Sequence, residues 1–323
     1  MALTGLENSD LKLIIFGGKG GVGKTSCAIA TALALSENFK TLLISTDPAH
    51  SVSDCLEQQI GFKVVKVDGT ANLYAIEVVA DEALSEFKME HQSELKKLLE
   101  TSTNLDNEDI DEMLTLSIPG IDEVMSFKTI IDFIEEGNYD KYVVDTAPTG
   151  HALRLISSPK LLDGWIKVAA RMRWKYRYMI TSFSGSYKQD EVDAFLLSLK
   201  KTVKRIENIL RDNTKCEFIP VCIPELMAIS ETGRLLADLG TSGIISRQII
   251  VNNVMVSEGC DFCRRRKAGQ LPYLQEISET FSNLNKVEVP MFAEEIKGLE
   301  ALYQLKNFLF EDQPFNSFNV ITT

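Results

Sequence analysis

The chain has 323 residues, of which 45% are hydrophobic and 25% charged, the balance of an ordinary soluble globular protein. Its formal charge of −12 disfavours broad association with the nucleic-acid backbone, so no nucleic-acid partner is expected. Six cysteines in a chain of this length do not make a disulfide framework, no apolar run approaches the ~20 residues of a membrane span, and the opening MALTGLENSD lacks a targeting pattern; the expectation is a cytoplasmic protein.

The first element is a short apolar run, Leu13–Phe16, which reads as a buried parallel strand. It runs into Gly17 and then GKGGVGKT, Gly18 to Thr25, followed by the Ala- and Leu-rich SCAIATALALSE, which has the composition of a helix. Thr41–Ser45 is a second strand, ending in Asp47-Pro48-Ala49-His50-Ser51, and Leu73–Val78 is a third. Asp81 reads as an N-cap, with Leu84, Phe87, His91, Leu95 and Leu98 at helical spacing behind it. The polar, acidic Thr101–Glu112 reads as a loop, and a further helix follows Ile118–Phe127 to about Glu136. After a turn at Gly137-Asn138, the strand Lys141–Val144 ends in Asp145-Thr146-Ala147-Pro148-Thr149-Gly150-His151.

Leu161–Phe183 alternates aromatic, methionine and basic residues, and Ser182–Asp190 is a polar stretch. Asp190–Asp212 predicts an amphipathic helix with Phe195, Leu199, Val203, Ile206 and Leu210 on one face. Phe218–Ile223, Gln248–Val251 and Val287–Val289 complete the strands. Strands alternating with helices, each strand ending in polar functional groups, predict an α/β fold: one doubly wound, mostly parallel sheet across residues 1–323. Two stretches break the alternation, 81–125 and 160–212. They are expected to be helical insertions that pack together as a subdomain.

The chemistry concentrates at the strand ends. Gly18, Gly23, Lys24 and Thr25 match the phosphate-loop pattern, between a strand and a helix as that motif requires. Gly18, Lys19, Gly20, Gly21, Val22, Gly23, Lys24, Thr25 and Ser26 together form the expected cradle, whose glycines let backbone N–H groups turn inward toward an anion at a helix N-terminus. Lys24 would reach the β- and γ-phosphates of ATP, and the Thr25 hydroxyl would ligate Mg²⁺. Lys19 is an extra lysine that an ordinary phosphate loop does not need; it reads as the deviant Walker A form seen in dimeric ATPases, where this lysine crosses to the partner's nucleotide, or as a solvated surface lysine. Asp47 stands where a carboxylate can orient an attacking water, and Asp145 where one can hold Mg²⁺ through water. His50 and His151 close the two segments, which read as switches responsive to the γ-phosphate. Cys260 and Cys263 form a single C-x-x-C before three arginines. They supply half of a tetrahedral zinc site completed by a second subunit, or a redox-active dithiol beside cationic groups. Cys216 and Cys222 read as core residues.

GKGGVGKT, DPAHS, DTAPTGH, the C-x-x-C and PMFAEEIKGL at 290–299, in this order, resemble the arsenite-pump ATPase family, and within it the cytosolic ATPases that target tail-anchored membrane proteins. The resemblance runs nearly end to end. It implies a homodimeric, Mg²⁺-dependent ATP hydrolase closing over two ATP molecules, with Lys19 on the partner's nucleotide, Lys24 on its own, and Asp47 positioning water. It also implies that Asn252 and Pro290 lie beside the adenine, and that Cys260 and Cys263 bind one zinc shared across the dimer. The insertions would form a hydrophobic groove for a client's transmembrane helix, with delivery through a membrane receptor and only transient membrane association. The alternatives are an ATPase subunit of an arsenite or metalloid efflux pump, a positioning ATPase on membrane or DNA, and a redox-switched holdase.

Overall fold

A computed structural model describes residues 2–47, 49, 51–102, 121–146, 163–164, 166–171, 173, 178 and 190–311. The apolar run after Leu11 becomes the central strand β1 (Leu13–Gly17), parallel both to β5 (Lys141–Asp145) and to β6 (Cys216–Cys222). Beyond β5 lie β2 (Thr41–Ser45), β4 (Leu73–Glu77) and β3 (Val65–Lys66); beyond β6 lie β7 (Gln248–Val254) and β8 (Asn285–Pro290). The order is β3-β4-β2-β5-β1-β6-β7-β8, and every pairing is parallel except β3 with β4. Such a sheet is covered on both faces, so its strands read as continuous apolar runs; every residue of β1, β2, β5 and β6 is buried. Elements that follow β1 in the chain lie on both sides of it, which makes its carboxyl end the switch point where ligands of open α/β sheets bind.

Two helices pack together on one face: α1 (Lys24–Ser36) and, from the far end of the chain, α9 (Gly298–Phe310). Ile29, Leu33, Leu302, Leu305 and Leu309 join Ile14, Phe16, Leu43 and Val143 in the main core. A short helix α2 (Ser51–Leu56) follows the Asp47 turn. Helices α7 (Leu226–Ser242) and α8 (Asp261–Thr280) build a second core around Cys222, Ile229, Ile249, Val251 and Ile277. The sequence pattern predicts strands here and no helix at α7, α8 or α9. It also missed β3, a two-residue strand with neither an apolar run nor an alternating pattern to announce it.

The chain divides into two compact units, one of residues 1–78, 134–153 and 210–323, the other of residues 79–133 and 154–209. The second contains α3 (Ala80–Glu90), α4 (Gln92–Ser102) and most of α5 (Ile121–Glu136) and α6 (Glu191–Arg211). Leu84, Phe87, Leu98, Met125, Ile166, Val192, Phe195, Leu199 and Val203 form its core. Asp190 caps α6: its Oδ1 accepts from the N–H groups of Val192 (3.1 Å) and Asp193 (3.2 Å), while buried Arg173 pairs with both Asp190 and Asp193.

Asp81 is not an N-cap. Val79 takes that position with extended dihedrals, and Asp81 and Glu82 sit in the first turn, where their charge suits the helix dipole. The predicted continuous helix through Leu98 breaks at His91, which terminates α3 by donating its N–H to the Phe87 carbonyl. Pro48, His50, the segment 147–151, most of 161–183 and the loop after 102 lie outside the described residues.

Candidate nucleotide site

The loop between β1 and α1 is shaped by glycines that no other residue can replace. A Cβ on Gly18 would stand 2.3 Å from the Val221 carbonyl oxygen; one on Gly23, whose φ is 90°, would stand 2.3 Å from Asn252 Nδ2. The loop therefore lies against the backbone of β6 and against the Asn252 side chain of β7. Lys24 opens α1 and is buried, its Nζ donating to the Lys19 carbonyl at 3.2 Å. Burial pulls its ammonium below the ordinary lysine value, against the opposing pull of Asp145 and Asp47.

Thr25 Oγ1 donates to Asp145 Oδ2 at 2.8 Å. Asp145 ends β5 fully buried, and its other oxygen, Oδ1, has no hydrogen-bond partner. Burial pushes this carboxyl up to about 7, and the nearby Asp47 charge adds to the rise; the Thr25 hydroxyl, the Lys24 charge and the Ser45 hydroxyl oppose it. An under-compensated carboxyl beside a hydroxyl offers hard oxygen donors, the set that fits Mg²⁺. Asp47 is half-buried at the end of β2. Its N–H donates to Ser45 Oγ (3.2 Å) and its Oδ1 accepts from Ala49 N–H (3.0 Å), a local turn that fixes the carboxylate close enough for Lys24 and Asp145 to feel its charge. Glu77, at the end of β4, accepts from both the N–H and the hydroxyl of Ser53 at 3.1 Å and so anchors α2, the helix into which the Asp47 segment runs.

On the far side of the loop, Asn252 donates through Nδ2 to the Val22 carbonyl at 2.9 Å, and its Oδ1 is buried without a partner. Pro290 is the last residue of β8 and pairs with Val254, so it lies one strand away at the same end of the sheet. Gly18–Thr25, Asp47, Asp145, Asn252 and Pro290 thus all come from the carboxyl ends of parallel strands in one unit.

Cys260 caps α8, its Sγ accepting from Cys263 N–H at 3.3 Å, and the two sulfurs are 3.1 Å apart. The hydrogen bond between them holds the Cys260 thiol below its usual range and pushes Cys263 above it, with the Arg264 charge also favouring the Cys260 thiolate. Tetrahedral zinc with Zn–S bonds of ~2.3 Å would set its sulfurs ~3.8 Å apart, a small opening of this pair. Among the described residues no group of three or more His, Cys, Asp or Glu side chains could hold a metal, so the pair offers two ligands of four. Cys27, Cys216 and Cys222 are buried, their thiols pushed up to about 12 by burial, and are inert.

Residues 11–311 match the family model described as anion-transporting ATPase. The chain belongs to the anion-transporting ATPase family. It is 34% identical to the ATPase ASNA1 homolog 2 of Paramecium tetraurelia over 317 residues, 95% of each chain. It is 35% identical to the ATPase GET3 of Malassezia globosa over 315 residues, 94% of this chain and 92% of that one. The ATPase ASNA1 homolog of Dictyostelium discoideum is 34% identical over 315 residues, 95% and 92% of the two chains. As a member of this family the protein is a P-loop ATP hydrolase that binds ATP with Mg²⁺.

The sequence does not announce the residues that hold the site from behind. Ser45 and Glu77 fix the Asp47 segment, and Gln270 fixes the backbone after Asn252. Glu77 carried one signal, a carboxylate inside an apolar strand; Gln270 carried none, because its partners are backbone groups of another element.

Proposed function

We propose that this ATPase is a homodimer that binds the transmembrane segment of tail-anchored proteins and delivers them to a membrane through a receptor, using ATP binding and hydrolysis. The observation that carries the reading is one chain joining a lysine-bearing phosphate loop to a separate helical unit built on its own apolar core. The near-full-length likeness to ATPases named GET3 and ASNA1 homolog supports it. No helix among the described residues is long and apolar enough to cross a membrane.

In this reading Lys24 holds the β- and γ-phosphates, and Lys19 meets the nucleotide of the partner subunit. Thr25 holds Mg²⁺ directly and Asp145 through water; the ion supplies charge neutralisation for the phosphate oxygens. Asp47 orients the attacking water, a task of position more than basicity. Asn252 and Pro290 lie beside the adenine. Cys260 and Cys263 contribute two of the four ligands of a zinc shared between subunits. The helical unit, expected at 81–125 and 160–212, receives the client.

Co-expression with a tail-anchored protein tests the whole. A soluble complex that purifies intact is the expected result; a client found only in membranes or aggregates overturns the reading. Asp47→Asn should retain ATP binding and lose at least ~100-fold in turnover, as removal of a positioning group does; unchanged single-turnover hydrolysis removes Asp47 from the chemistry. Metal analysis of reduced protein should find about one zinc per two chains. One zinc per chain, or none, would contradict the bridge.

A further inference from the structure

Strand β7 does not leave the sheet regularly. Its register with β8 shifts between Val251 and Val254, and Asn253, inside that shift, has φ 57°, a conformation that side-chain-bearing residues rarely adopt. An irregularity of this kind strips backbone groups of their ladder partners. Here one side chain replaces them. Gln270, on α8, donates through Nε2 to the Asn253 carbonyl at 2.9 Å and accepts through Oε1 from Met255 N–H at 2.8 Å. Gln270 is 4% exposed, so no water competes for these bonds. An apolar residue there would leave a partly buried carbonyl and a buried N–H without this partner.

The residue that this arrangement aims is Asn252. Its Nδ2 donates to Val22 of the phosphate loop, and the same nitrogen lies where a Gly23 side chain would be. That contact fixes which end of the amide faces the loop, since an oxygen there would oppose the Val22 carbonyl. The unpartnered Oδ1 is then the end left for a ligand. A fixed acceptor suits a hydrogen-bond donor such as the exocyclic amine of adenine and opposes the carbonyl that guanine carries at the same place.

We infer that Gln270 is the positioning residue for base selection: by pinning the backbone on both sides of residue 254, it sets the amide of Asn252 and hence the preference for a 6-aminopurine nucleotide over a 6-oxopurine one. The inference rests on the proposed reading of Asn252 as the base contact. It assigns Gln270 no contact with the nucleotide.

Steady-state hydrolysis of ATP and GTP by the full chain tests it, in wild type, Asn252→Ala, Gln270→Met and the double variant. Gln270→Met keeps the length of the side chain and removes both hydrogen bonds. The expected result is a KM for ATP raised about tenfold, a preference for ATP over GTP reduced by a similar factor, and kcat within about twofold of wild type. Lys24 and Asp47 come from other strands, so kcat should hold. The double variant should be no worse than Asn252→Ala, because both changes act through one amide. If Asn252→Ala keeps the preference, the reading of Asn252 fails, whatever Gln270 does. If Asn252→Ala loses it and Gln270→Met keeps it, Gln270 is not the positioning residue and the inference is overturned. Should Gln270→Met fail to fold, Gln270→Glu, which keeps the acceptor for Met255 N–H, takes its place with the same two outcomes.

Discussion

At the scale of single residues, Asp145 is the group whose environment is most at odds with its charge. Its carboxyl rises to about 7 in the fold because it is buried, against an ordinary value of 3.8. Between those values the native state holds a proton that the unfolded chain has released, so stability contributed by this group is complete below ~3.8 and falls as pH rises toward ~7. Asp145→Asn keeps an acceptor for the Thr25 hydroxyl and never ionises. Without Mg²⁺ or nucleotide, this variant should be more stable than wild type at pH 8, by up to a few kcal/mol, and the difference should shrink as pH drops to 5. Chemical denaturation at the two pH values measures it; a difference independent of pH would show that Asp145 titrates normally. The aspartate was legible in the sequence because it ends an apolar run. Its burial was not, since that depends on β1 and β2 flanking it, strands remote in the chain.

At the scale of elements, the sequence revealed strands best where a parallel sheet buries them on both faces, as in Leu13–Phe16 and Thr41–Ser45. It failed where polar residues are buried by tertiary pairing. Glu217 sits inside β6 at 3% exposure because Gln248 and Arg247 bond to it, and the expected start of that strand at Phe218 falls two residues late. Lys141, where the expected strand does begin, is also buried by tertiary pairing. It opens β5 with no exposure, and its Nζ donates to the carbonyls of Leu6 (3.0 Å), Leu11 (2.7 Å) and Asn8. One side chain thus ties the N-terminal segment to the base of the sheet, where Leu3, Leu6 and Leu11 are buried. Lys141→Met would leave those carbonyls without this donor, at a cost of about 1–3 kcal/mol. A urea midpoint lowered accordingly is the expected outcome, together with faster hydrogen exchange at Leu3 and Thr4, whose N–H groups bond to Leu309 and Gln248. Unchanged protection at both amides would mean that apolar packing alone holds the segment.

At the scale of the whole molecule, the two units divide the work: the nucleotide residues lie in one, and the proposed client surface lies in the other. The apolar face of α6 carries Phe195 and Leu199. Both are 4% exposed and packed among Phe87, Val192 and Val203, so they build the core of the helical unit. A transmembrane segment of ~20 residues is ~30 Å long as a helix and needs apolar surface to rest on. Among the described residues, the exposed large apolar and aromatic side chains of this unit are Met89 (76%), Tyr178 (67%), Leu197 (52%) and Val168 (50%). Leu197 stands two residues from Phe195 on α6, so the helix turns one face inward and this residue outward. Isolated exposed apolar residues are common on any surface, and only their effect on capture distinguishes a docking face from background. Met89→Asp combined with Leu197→Asp should therefore reduce capture of a tail-anchored client about tenfold or more, two desolvated contacts being enough for that, while the thermal midpoint and ATP hydrolysis stay as in wild type. Phe195→Asp should behave differently: a charge in that core costs several kcal/mol, and circular dichroism should report loss of helix along with loss of capture. If the Met89 and Leu197 double variant captures the client as well as wild type while its midpoint is unchanged, the client does not rest on these residues. Capture would then rest on other surface of this unit, with Val168 and Tyr178 the exposed candidates that remain among the described residues, or would require the core around Phe195 to open, in which case client binding should accelerate hydrogen exchange at Phe195 and Leu199.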